Sequence, residues 1–66
     1  MKSYFNEIDN AIRRYEEYKY PTHSIEWITD RIEWCWKFKH INHEEMANLA
    51  DRITEVIENG GSRYYA

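Results

Sequence analysis

Apolar side chains recur along this chain at spacings of three and four, and no stretch alternates them with polar ones as a half-buried strand would. Phe5, Ile8, Ala11, Ile12, Tyr15 and Tyr18 share one helical stripe, with Asp9, Arg13, Glu16 and Glu17 outside it. Ser3 stands where a cap is needed, and Tyr20-Pro21 stops the pattern, because a residue before proline avoids helical dihedrals. Thr22 and Ser24 are both suited to cap a second helix, expected to run to about Lys39. A third helix starts at Asn42, with Glu45 three residues later as in a capping box, and with Ile41 and Met46 at the positions of a hydrophobic staple. Met46, Leu49, Ala50, Ile53, Val56 and Ile57 keep helical spacing until Asn59-Gly60-Gly61 ends it.

These elements predict an all-α fold, a compact antiparallel three-helix bundle. Connections of roughly four residues favour antiparallel neighbours. Residues 1–61 form the single domain in this reading, and residues 62–66 a short flexible C-terminal tail.

The middle helix carries more apolar surface than one contact needs. Steps of 100° per residue place Ile25, Ile28, Ile32, Cys35 and Trp36 in one sector. Trp27, Trp34 and Phe38 form a second stripe with Arg31 beside it, while Glu26, Thr29, Asp30, Glu33 and Lys37 fill the rest. Three readings follow. The helix packs on both neighbours and buries both stripes; the second stripe stays open for a protein partner, tryptophan being enriched at interface hot spots; or the stripe pairs with itself in a homodimer.

Composition narrows the class. Of the 66 residues 42% are hydrophobic and 17% aromatic, which is too apolar for disorder despite 32% charged residues. No apolar run approaches the roughly 20 residues of a membrane span. A single cysteine cannot build a disulfide framework, so a cytoplasmic protein is expected. The net charge of −3 is unevenly placed: over residues 43–58, Glu44, Glu45, Asp51, Glu55 and Glu58 stand against Arg52 alone. Glu44, Asp51, Glu55 and Glu58 cluster opposite the apolar stripe of the third helix, with only Arg52 near enough for local relief. Such a row is either a plain solvated face or a docking face for a basic partner, including a nucleic-acid-binding protein whose groove the carboxylates occupy in place of phosphates.

Candidate chemistry is sparse. Cys35, His40 and His43 offer thiolate and imidazole ligands, yet a closed zinc site takes four ligands and no second cysteine exists. A Cys–His nucleophile pair would lack a third orienting group, and the carboxylates line a convex face with no cleft to shift their pKa values. No metal, no cofactor and no catalytic residue is therefore expected, and the chain reads as a non-enzyme. Trp34, Trp36, Lys37, Phe38, Lys39 and His40 interleave rings with positive charge and could stack bases. The helix that would enter a groove, however, is either balanced in charge or acidic, which argues against direct nucleic-acid binding. The acidic total likewise argues against docking on anionic membranes.

Asp30-Arg31-Ile32-Glu33-Trp34-Cys35-Trp36-Lys37 and Glu45-Met46-Ala47-Asn48-Leu49-Ala50-Asp51-Arg52 resemble stretches of small uncharacterised helical proteins of bacterial phages and conjugative elements, over about the last two-thirds of the chain. The resemblance implies a setting: such proteins are often accessory factors or inhibitors of host machinery, anti-CRISPR proteins among them. It transfers no functional residue. The residues themselves point to a protein-binding module, with Trp27, Arg31, Trp34 and Phe38 on one surface and Glu44, Asp51, Glu55 and Glu58 on another. The alternatives are a homodimeric structural or regulatory protein and, behind it, a nucleic-acid-binding helical domain.

Overall fold

The structure, a computed structural model, describes residues 3–60. Three helices account for most of them: α1 (Tyr4–Glu16), α2 (Ile25–Lys37) and α3 (His43–Glu58). All three pairs of helices pack together, and no strand occurs among the described residues. The tail expected at 62–66 lies outside them. No described helix is long and apolar enough to cross a membrane.

Each helix starts on a side-chain cap. The Ser3 hydroxyl accepts from the Asn6 N–H, and the Ser24 hydroxyl accepts from the Trp27 N–H, so Ser24 and not Thr22 opens α2. At α3 the reciprocal box is complete: Asn42 Oδ1 accepts from the Glu45 N–H at 2.7 Å, and Glu45 Oε1 accepts from the Asn42 N–H at 3.0 Å.

The helix ends depart from the sequence reading. The stripe of α1 was expected to run through Tyr18 until Pro21, but the helix stops at Glu16 and Tyr18 adopts φ +58°. The Lys19 N–H bonds back to the Arg14 carbonyl and the Tyr18 N–H to that of Tyr15, the paired bonds of a Schellman motif. α2 ends in the same way two residues short of Lys39, which takes φ +63° while the His40 N–H donates to the Cys35 carbonyl at 2.7 Å. Only α3 uses glycine at this position, Gly60 at φ +77°. A tyrosine and a lysine thus hold a left-handed conformation that glycine adopts without steric cost.

The core is a single cluster. Ile8, Ala11, Ile12 and Tyr15 come from α1, Ile28, Ile32 and Cys35 from α2, Leu49, Ile53 and Val56 from α3, and Ile41 from the α2–α3 turn. Phe5, Ile25, Trp27 and Met46 pack against it part-buried. Three expected members stay outside: Tyr18 lies past the end of its helix, and Trp36 and Ile57 remain 45% and 49% exposed. Both sit at the edge of their stripe, towards the seam between α2 and α3, where a small bundle has no further layer to cover them.

Polar contacts set the helix directions. Tyr4 meets Trp34, and Glu7 pairs with Arg31 at 3.3 Å, so α2 runs antiparallel to α1. Phe5 shares a cleft with Asn48, while Asp9 further along α1 reaches Arg52, so α3 follows the direction of α1. The turn after α1 is fastened by the Tyr15 hydroxyl, which donates to the His23 carbonyl at 2.8 Å, and by Arg14 Nη1 donating to the Tyr20 carbonyl.

The left-handed Lys39 yields a stability prediction. Lys39→Gly should stabilise the fold by about 0.5–1 kcal/mol, since relief of backbone strain exceeds the added chain entropy. Urea denaturation followed by far-UV circular dichroism measures it; a loss of stability would mean that the lysine side chain itself holds the turn.

Candidate functional site

The seam between α1 and α2 carries a continuous strip of rings around one guanidinium. Arg31 lies over Trp34 at 4.7 Å from the ring centre, over Tyr4 at 5.6 Å and over Trp27 at 5.9 Å, while its Nε donates to Glu7. Contacts of this kind contribute roughly 0.5–1 kcal/mol each at exposed sites. The His40 ring stacks on Tyr4 at 4.1 Å and on Trp34 at 5.0 Å, and Phe38 tilts against Trp34 at 5.1 Å. At the other end, His23 stacks on Trp27 at 3.7 Å.

The second stripe of α2 divides, position by position, into packed and open rings. Trp27 packs against the core, as a helix touching both neighbours requires. Trp34 and Phe38, further along, remain 39% and 54% exposed, and Tyr4 is 38% exposed beside them. The open apolar surface is therefore centred on Trp34. Sequence reasoning missed Tyr4 and His23 as members, and grouped His40 with Trp34 and Phe38 only as rings that could stack bases. Tyr4 enters because α1 begins where α2 ends, and His40 because the Schellman turn reverses the chain onto the preceding helix; neither follows from periodicity along one element.

The acidic residues Glu44, Asp51, Glu55 and Glu58 are all exposed on α3. At 100° per residue their row lies about 160° from the direction of Leu49, Ile53 and Val56, which face the core. The row thus looks away from the core and from α2, with Glu44 at its start lining the cleft beside Phe5, and the strip looks away from α3. The two candidate surfaces stand on opposite sides of the bundle and cannot meet one flat partner surface together.

Arg52 does not relieve the row, contrary to expectation. It turns towards α1, where it grips Glu16 through two bonds, Nη2 to Oε1 at 2.8 Å and Nε to Oε2 at 3.1 Å, and also bonds Asp9. Asp9 in turn holds Arg13 at 2.9 Å. Bidentate geometry of this sort suits arginine alone. The hydrogen bonds that Arg52 donates to Glu16 raise its pKa above the ordinary value, against an opposing effect of burial. The four carboxylates of the row consequently have no ion-pair partner among the described residues.

Cys35 is fully buried, and the His40 and His43 rings are engaged in contacts with Tyr4, Trp34 and Trp36. Among the described residues no three His, Cys, Asp or Glu side chains gather to hold a metal ion. His43 instead lines an open groove of about 670 Å³ at the α2–α3 turn with Trp36, Lys37, Lys39 and Glu45.

Two predictions test this geometry. Trp27→Ala should destabilise the fold by about 2 kcal/mol or more, and Trp34→Ala by less than half as much, because only Trp27 is keyed into the core; equal losses would mean that both rings are structural. Burial pushes the Cys35 thiol up, with Arg31 partly opposing. The neutral thiol is without effect on stability below its ordinary range. Above about pH 8.5 the unfolded chain loses this proton first, so stability should fall as pH rises, and Cys35→Ala should flatten that part of the profile. Urea midpoints taken at stepped pH compare the two proteins directly.

Against known proteins, the chain matches no family model, no curated protein and no solved structure.

Proposed function

We propose that this protein is a non-enzymatic binding module that holds protein surfaces on two sides. What supports this reading most is the strip itself: Tyr4, Trp34 and Phe38 are preordered by stacking and by Arg31, yet each keeps more than a third of its surface open. Ordered rings lose little conformational freedom on binding, and a tryptophan at the centre of such a patch is the residue type that dominates interface energies. An apolar protein surface suits the strip.

The row of Glu44, Asp51, Glu55 and Glu58 suits a basic one. Like charges held along one face without internal partners steer a positively charged surface and are relieved by it. In the mobile-element setting implied by the resemblance, the concrete form is a small anti-CRISPR-like inhibitor or accessory factor. It covers the basic groove of a nucleic-acid-binding host protein, the carboxylates standing where phosphates would lie.

The test is affinity capture from bacterial cells with the retained protein identified and then purified. Binding of that protein should weaken steeply with salt and should be lost on reversal of Asp51, Glu55 and Glu58 to lysine, with helicity unchanged. Affinity indifferent to salt and to the triple reversal would remove the acidic face from the function.

A further inference from the structure

On the flank of α2 that borders the strip, Asp30 and Lys37 stand in a self-complementary order, with Glu33 about 50° beyond them on the side away from the strip. Asp30 and Lys37 lie seven residues apart, two helical turns, and within about 20° of each other around the axis. Trp34 stands midway between them, about 50° round the helix on the open side. Both charged residues are exposed, and neither makes an ion pair among the described residues; the Lys37 ammonium lies only 6.0 Å from the Phe38 ring centre.

We propose that the strip is occupied by a second copy of this chain, with α2 packed antiparallel to its symmetry mate across a twofold axis beside Trp34. This rests on the strip being a protein-binding surface, and it names the protein. In an antiparallel pair, residues on one flank meet the same flank of the mate at mirrored heights. An axis level with Trp34 sets Asp30 opposite Lys37 of the second copy, and Lys37 opposite its Asp30. The two Trp34 rings meet at the centre, where isologous contacts place their most apolar residue. Arg31 comes within one turn of the second copy's Phe38, a further cation–π contact. No other register aligns both charges while centring the exposed rings.

The area required is modest. A standard interface covers roughly 800 Å² on each partner, about a sixth of the 4849 Å² that the protein exposes. One of the three flanks of the bundle supplies it. The acidic rows then face outward at opposite ends of the dimer, which separates like charges instead of opposing them across the contact.

Charge reversal decides the matter by light scattering and sedimentation across a micromolar concentration series of the full chain. The wild type should be dimeric. Asp30→Lys and Lys37→Asp alone should each weaken the dimer by about tenfold or more, since each turns two attractive pairs into repulsive ones. The doubly reversed chain should regain it, and an equimolar mixture of the two single variants should form heterodimers in preference to either homodimer. Circular dichroism confirms that each variant is folded. A wild type that stays monomeric, or a dimer indifferent to both single reversals, overturns the proposal. A monomer whose strip binds a foreign protein, with loss on Trp34→Ala, overturns it while leaving the binding-module reading intact. Loss of that reading through the acidic-face test leaves the dimer standing.

Discussion

A helix packed between two others can turn only a narrow arc towards a shared core, and α2 fills that arc with Ile28, Ile32 and Cys35. The remaining rings must then lie along the seams. Trp27 and Trp34 fall on the α1 side and Trp36 on the α2–α3 side, and among the described residues three helices form no further layer above them. The surplus apolar surface is a geometric result of giving the central helix three tryptophans. Its arrangement is not. Tyr4, His40 and Arg31 converge on Trp34 from three different elements, so the rings are fixed in orientation where a scattered set of exposed aromatics would be free to move.

Short-range features were legible in the sequence wherever they depend on side-chain type at fixed spacing. The caps at Ser3 and Asn42 and the buried stripe of α1 from Ile8 to Tyr15 belong to that class. The exits of α1 and α2 were not, because the usual marker of a left-handed residue is glycine and here Tyr18 and Lys39 take the role. The placement of Trp36 was missed for a different reason. An apolar residue on the margin of a stripe is buried only if a neighbour reaches it, and that depends on how far helices splay rather than on periodicity.

Long-range pairings explain the rest. Arg52 lies four residues from Asn48 and one from Asp51, and its local sequence suggests a role within α3. Its actual partners, Asp9 and Glu16, are separated from it by 43 and 36 positions. The same holds for Glu7 and Arg31, 24 positions apart. Both arginines fasten α1 to another helix, and both draw their carboxylates from α1, so the first helix acts as the anionic strut of the bundle while α3 keeps its own carboxylates for the outside.

The grip of Arg52 on α1 has a rotational meaning as well. Hydrophobic contacts among aliphatic side chains tolerate small slips, and a slip of one residue would turn α3 by 100°. Two bonds to Glu16 and one to Asp9 act as a key in a slot and admit only one angular setting. The outward aim of Glu44, Asp51, Glu55 and Glu58 is thereby set from the adjoining flank of their own helix, by a residue whose side chain is spent on α1.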